Sequence, residues 1–370
     1  MKQHLILLGL SMAGLLPPAQ AGDVTLYGSI DSGPTYVSNL RGSATTLVDD
    51  GVLQADRFGL RGSEDLGGGN RAVFQLEGGF VTSTGAQPRA NVLFNRLAYV
   101  GLAGRWGTAT IGHQSNMMFD TVGKLSNGVL FGSFYAFHPG NIDEFANVGQ
   151  LDNAVKLVSA PYAGLTVGAM ISLGEQPGDA ARNRAHGVNF SFVRGPLKLA
   201  GAYTSANNRA LNLGATLGLR SLLGQQLLAA AGGAAGAPAA TPLQADRVRN
   251  TGLAASYALN GVLLRAAIGQ SHMSAAGGAT TMTTPELGAN FAIAPAVSLN
   301  TAYSSSRLAG RAWQQFGLNC VYSMSHRTEL YAMALSQRAS GAGAVAAINS
   351  LGPASGQRQH ALRLGVHHLF

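Results

Sequence analysis

The sequence predicts an all-β fold: a 16-stranded antiparallel transmembrane β-barrel with an inward-folded third external loop. Three observations predict it. First, segment after segment alternates apolar and polar residues, up to the last stretch, where Leu362, Leu364, Val366, His368 and Phe370 share one parity. Period-two alternation marks a strand with one apolar face. Second, charged residues are only 11% of the chain, glycines number 50 and mean hydropathy is +0.14. After the leading residues no apolar run is long enough for a helix to span a bilayer. A wall in which only every second residue meets lipid has this diluted hydrophobicity. Third, the connections alternate between short and longer, as in barrels with tight turns on one side and loops on the other.

Taken in order, Met1–Ala21 reads as a secretory signal: Lys2 and His4, an apolar Leu5–Leu16, then Ala19-Gln20-Ala21 as a small-residue cleavage site. The remainder, Gly22–Phe370, reads as one barrel. Its predicted strands are Val24–Val37, Leu53–Ser63, Asn70–Val81, Val92–Leu102, Gly107–His113, Asn153–Ser159, Leu165–Leu173 and Ala185–Val193. They continue as Leu197–Ser205, Val248–Ala258, Val262–His272, Thr283–Ile293, Ala296–Ser306, Trp313–Tyr322, Thr328–Arg338 and Gln359–Phe370. Strands of about ten residues fit a tilted bilayer crossing. The last strand is expected to pair with Val24–Val37, because lipid tolerates no unpaired sheet edge.

Two external loops are long. Gln114–Asp152 carries Met117, Met118, Phe119, Phe131, Phe134, Tyr135 and Phe137; a loop so apolar is expected to fold inward against the wall. Ala206–Arg247 is rich in Ala, Gly and Leu, with helical propensity over Leu211–Ala231.

Alternation assigns faces. With Phe58 and Leu60 toward lipid, Arg57 and Arg61 point into the lumen. Phe74 and Leu76 toward lipid send Gln75 and Glu77 inward, and Val155 and Leu157 send Lys156 inward. In the fourth strand, Leu97 and Tyr99 are assigned to lipid, which sends Arg96 inward. An arginine facing lipid at mid-depth would cost about 2–4 kcal/mol. Opposite these cations the inward loop offers Asp120, Asp143 and Glu144. Cations on the wall facing carboxylates on a loop would form a charged constriction that orients hydrated solutes. The surplus of wall cations points to a modest preference for anions.

Several segments together resemble a known family: Val24-Thr25-Leu26-Tyr27-Gly28, Arg57-Phe58-Gly59-Leu60-Arg61-Gly62-Ser63-Glu64-Asp65-Leu66-Gly67-Gly68-Gly69, Glu77-Gly78-Gly79-Phe80, Leu93-Phe94-Asn95-Arg96, Gly107–Gly112 and His368-Leu369-Phe370. The mature chain is similar end to end to the general diffusion porins of betaproteobacteria and Neisseria. The resemblance implies a trimer in the outer membrane, each barrel a water-filled channel narrowed by its third external loop. It also places Arg57, Arg96 and Lys156 in the basic cluster of the constriction and makes Phe370 a signal read by the barrel-assembly machinery. Where the family's strand ends Gly-Arg-Gln, this chain has Gly112-His113-Gln114. A titratable side chain thus replaces a fixed cation.

Other chemistry is not indicated. Cys320 is alone and can form no intrachain disulfide. His367 and His368 point to opposite faces of a strand, so they do not chelate a metal together. Gly269-Gln270-Ser271-His272 lacks the closing glycine of a hydrolase elbow, and Gly67-Gly68-Gly69 lacks the Lys-Ser/Thr of a phosphate loop. The net charge of +8 comes from singly spaced residues, not from a nucleic-acid patch. No cofactor is expected, and the partners are outer-membrane lipid, lipopolysaccharide and small hydrophilic solutes. A solute-preferring channel, an outer-membrane barrel enzyme and an adhesin are the alternatives.

Overall fold

A computed structural model describes residues 22–229 and 239–370; the predicted leader Met1–Ala21 lies outside them. The first part of the wall comprises β1 (Val24–Leu40), β2 (Ser43–Asp50), β3 (Arg57–Gly67), β4 (Asn70–Gly79) and β5 (Leu97–Gly104). It continues with β6 (Gly107–Gln114), β7 (Leu151–Ser159), β8 (Leu165–Ser172), β9 (Ala185–Arg194) and β10 (Leu197–Leu211). A small hairpin, β11 (Ser221–Leu222) and β12 (Gln225–Gln226), interrupts it. The wall resumes with β13 (Leu243–Leu259), β14 (Val262–Ala275), β15 (Gly278–Ala294) and β16 (Val297–Leu308). It ends with β17 (Arg311–Ser323), β18 (Thr328–Ser340) and β19 (Arg358–Leu369).

Each wall strand pairs antiparallel with the next, and β19 pairs with β1 from Ser29↔Leu369 to Val37↔Ala361. β2 and β3 both pair with β1 and act as one interrupted strand, so the closed wall has sixteen strands. The interruption is where the expected strand Leu53–Ser63 departs from the structure. Asp31 Oδ2 accepts from Leu53 N at 2.8 Å and Asp56 Oδ1 accepts from Asp31 N at 2.7 Å. These two carboxylates hold Gly51–Asp56 out of the ladder, and the strand resumes outward as Ser43–Asp50, a segment outside the expected strands Val24–Val37 and Leu53–Ser63.

Turn chemistry and close approach explain two glycine positions. Gly67, Gly68 and Gly69 all have positive φ, and such a run is sterically open only to glycine. At the seam, a Cβ on Gly28 would lie 2.1 Å from Cζ of Phe370. The absent side chain lets that ring lie flat on β1, while Gly28 N donates to Phe370 O at 2.9 Å.

On β19, Leu362, Leu364, Val366 and Phe370 are exposed on the outside, whereas Ala361, Arg363 and His367 are buried toward the lumen. His368 shares the outer parity and lies 3.0 Å from Thr328 Oγ1.

The loop between β6 and β7 folds into the barrel and packs against the β10–β19 side. Its Met118, Val122 and Phe145 meet Ala200, Ala202, Ala254 and Ala267, and Phe131 and Tyr135 meet Val321, Tyr331, Met333 and Leu335. Small wall residues leave room for the large loop residues. The second long loop also folds inward. Beyond β10 a short helix, α1 (Leu213–Leu217), replaces the longer helix that propensity favours over Leu211–Ala231; residues 230 and 231 of that span lie outside the described residues. Leu213, Leu217, Leu219, Leu222 and Leu227 form one buried cluster with Ile142, Met273, Trp313 and Ala346. The β1–β2, β14–β15 and β16–β17 connections, on the external side, are tight because those strands run further outward than alternation alone indicates.

Candidate functional site: the channel constriction

The inward loop fills the lumen on the β10–β19 side. Between it and the strands of the first half of the wall remains a cavity of about 900 Å³. Its fixed charges are the cations Arg57, Arg96, Lys124 and Lys156 and the carboxylates Glu77, Asp120 and Glu329.

Glu77, on β4, organises one wall. Its Oε1 accepts from Arg96 Nε at 2.6 Å, and Arg57 Nε lies 3.5 Å from Oε2. Tyr27 Oη donates to Oε2 at 2.8 Å; Gln75 Nε2 donates to Tyr27 Oη at 2.5 Å, and Tyr99 Oη donates to Gln75 Oε1 at 2.7 Å. One carboxylate therefore holds two guanidiniums, and a chain of polar side chains holds the carboxylate. Both arginines stay partly open to the cavity, as a wall that interacts with passing ions requires.

Lys156 joins wall to loop. Its Nζ lies 2.7 Å from Asp120 Oδ2 and donates to Ser115 O at 2.6 Å, and Ser115 Oγ donates to Asp120 Oδ1 at 2.6 Å. Most of this pair's field is spent internally. Lys124, on the same loop, is exposed to the cavity and forms no ion pair among the described residues. At the far edge, Glu329 lies 3.1 Å from His367 Nδ1.

The structure brings together four of the residues singled out from sequence: Arg57, Arg96, Lys156 and Asp120. It places the others elsewhere. Arg61 lies over the Tyr27 ring, 5.4 Å from its centroid, and does not line the cavity. Asp143 is buried beneath the loop, bonded to His138, whose Nε2 lies 3.0 Å from Glu286 Oε2. This trio clamps the loop to β15. Burial opposes protonation of His138, but Asp143 and Glu286 outweigh it and raise its pKa to about 10. Glu144 lies 3.6 Å from Arg209 and accepts from Thr204 at 3.3 Å; burial pushes its carboxyl above the usual range despite that arginine. His113 stands opposite Ala98, on the outward parity, with Nδ1 2.5 Å from Asp152 Oδ1, and is not part of the cavity lining.

The assignment of β5 also changes. Leu97 and Tyr99 line the cavity, while Val100 and Leu102 are the exposed, outward residues. Arg96 reaches the cavity from just before the strand, not through strand parity. Sequence reasoning missed Lys124, Glu329 and the organising role of Glu77. The signal for Glu77 was present in its inward parity beside Arg57. No periodicity could have revealed Lys124, which is set by the fold of an irregular loop.

Residues 9–342 match the model of the Gram-negative porin family. An outer membrane porin protein of Bordetella pertussis is 32% identical over 243 residues, covering 57% of this chain and 62% of that protein; the match thus spans less than two thirds of that relative. Outer membrane porin protein 32 of Delftia acidovorans is 28% identical over 385 residues, covering 100% of both. The solved anion-selective porin from Comamonas acidovorans superposes with a TM-score of 0.77 at 20% identity, covering 94% of this chain and 100% of that one. The chain belongs to the Gram-negative porin family and is a barrel of the outer membrane.

Proposed function

We propose that the barrel is a passive, water-filled channel for small hydrophilic solutes and ions, with a modest preference for anions and no catalytic role. The observation that carries the preference is the charge balance of the constriction. Arg57 and Arg96 share one carboxylate, Lys156 is matched by Asp120, and Lys124 is unmatched. In a narrow, low-dielectric channel a surplus positive charge concentrates anions and repels cations. A relative described as anion-selective, with the same fold, agrees with this reading. Arg57, Arg96, Lys156, Lys124 and Asp120 are the residues we assign to selectivity.

By family resemblance the barrel assembles as a homotrimer in outer-membrane lipid, is exported by Met1–Ala21, and uses Phe370 as an insertion signal. Planar-bilayer recording of the purified protein under a KCl gradient tests the channel reading. A reversal potential on the anion side, with conductance steps in threes, is the expected result; strong cation selectivity would overturn the assignment.

A further inference from the structure

The cavity of the constriction has two unlike faces. Toward β3 and β4 it is cationic and polar, with Arg57 and Arg96 held by Glu77. On the other side, every residue that the loop contributes between Gly128 and Phe137 is apolar. The reason lies in one helical turn, Gly128–Gly132, which spends its polar groups on the wall behind it. Just before the turn, Asn127 N donates to Glu286 Oε1 at 2.9 Å. Leu130 O accepts from Asn290 Nδ2 at 2.6 Å, and Phe131 O accepts from Asn319 Nδ2 at 3.0 Å. Val129, among these anchors, lines the cavity instead and is 39% exposed. Phe134 N donates to Val52 O at 2.6 Å, which brings Phe134 beside Leu53; both line the cavity and are partly exposed. This patch is not the overflow of a loop with too much apolar surface to bury. The larger Phe131, Tyr135 and Phe145 of the same loop are completely buried.

An apolar patch wetted by a narrow water path gains free energy when an apolar body covers it. The charge of that body is set by the same cavity. Lys124 is unpaired among the described residues, and the lining cations outnumber the carboxylates. A cationic amphiphile would be repelled, and an inorganic anion would leave the patch wet. A sugar would need free acceptors, yet Glu77 and Asp120 are already engaged by Arg57, Arg96 and Lys156.

We infer that the constriction is a binding site for organic anions with an apolar body, the simplest being an aromatic monocarboxylate, and holds them more tightly than small hydrophilic anions. The carboxylate lies toward Lys124, Arg57 and Arg96, and the ring covers Val129, Phe134 and Leu53. The inference rests on the anion-preferring channel proposed above and names the solute class that this channel retains. Val129 is the residue that sets the distinction, because its side chain contributes no charge and anchors nothing.

The test is planar-bilayer recording of the purified full chain in KCl, with potassium benzoate, potassium acetate or benzylammonium chloride added to both sides. Benzoate should reduce the current at about fivefold lower concentration than acetate, the scale expected for covering part of one ring, and benzylammonium should leave the current unchanged. Val129→Ser should bring benzoate to within about twofold of acetate, whereas Val129→Leu, which keeps the apolar face, should preserve the difference. Lys124→Ala should weaken both carboxylates about threefold and leave their ratio as it was. Unaltered KCl conductance of Val129→Ser would show that its loop is in place. Equal block by benzoate and acetate in a wild type with an anion-side reversal potential would overturn the inference and leave the channel reading standing. A benzoate preference that survives Val129→Ser, or block by benzylammonium as strong as that by benzoate, would overturn it as well. A cation-side reversal potential would instead overturn the channel's anion preference, and the inference with it.

Discussion

Replacing Lys124 by glutamate tests the charge balance of the constriction most directly. The lysine is exposed to the cavity and unpaired among the described residues, so its removal breaks no packing. The variant changes the lining from four cations against three carboxylates to three against four. One unit charge acting on an ion about 6 Å away through water is worth about 0.7 kcal/mol. Exchanging plus for minus doubles that for each ion, and the effect is opposite for anions and cations. Screening at about 0.1 M salt removes roughly half. About 1.4 kcal/mol remains, or roughly a tenfold fall in the anion-to-cation permeability ratio. The assay is the reversal potential of single channels under a KCl gradient, repeated at two ionic strengths. The preference should invert, and the shift should grow as salt is lowered. An unchanged ratio with normal conductance would refute the reasoning, and would mean that Arg57 and Arg96 set selectivity in spite of their shared carboxylate.

Two further outcomes follow from the seam and the loop anchor. Gly28→Val places a side chain where the Phe370 ring lies; overpacking of about 1–3 kcal/mol should lower the yield of folded barrel, read by heat-modifiable electrophoretic mobility, and a normal yield would contradict the tight seam. The folded pKa of His138, about 10, is above its ordinary 6.5, so its clamp on the loop is fully present below about pH 6.5 and is lost as pH rises through about 10. Open-channel noise should therefore increase between pH 8 and 11 in the wild type and lose that dependence in His138→Gln; a flat wild-type profile would count against the clamp.

The wall was legible because strands advertise themselves locally. Alternation of Leu362, Leu364 and Val366 with Arg363 and Gly365 specifies both a strand and its two faces, and the same holds for Arg57 against Phe58 and for Lys156 against Val155. Alternation failed where both faces are apolar. In Leu97-Ala98-Tyr99-Val100-Gly101-Leu102 either parity satisfies a lipid-facing pattern, and only the bond from Tyr99 to Gln75 shows which one turns inward. Its other limit was at Gly51–Asp56, where bonds to β1 through the carboxylates of Asp31 and Asp56 displace the segment from the ladder.

The constriction was half legible for the same reason. Arg57 and Lys156 sit on strands, so their direction follows from neighbours one residue away. Asp120, Lys124, Asp143 and Glu144 sit on an irregular loop, where direction depends on contacts far along the chain: Asp143 with a histidine that also reaches Glu286, Glu144 with Arg209, Asp120 with Lys156. The sequence by itself determined a closed sixteen-stranded wall, its seam at Phe370 and the inward direction of Arg57 and Lys156, because backbone pairing and lipid exposure act on every second residue. Only the tertiary structure decided which loop charges reach the water path and which are buried as anchors, because long-range packing and ion pairing set the direction of a side chain that belongs to no repeat.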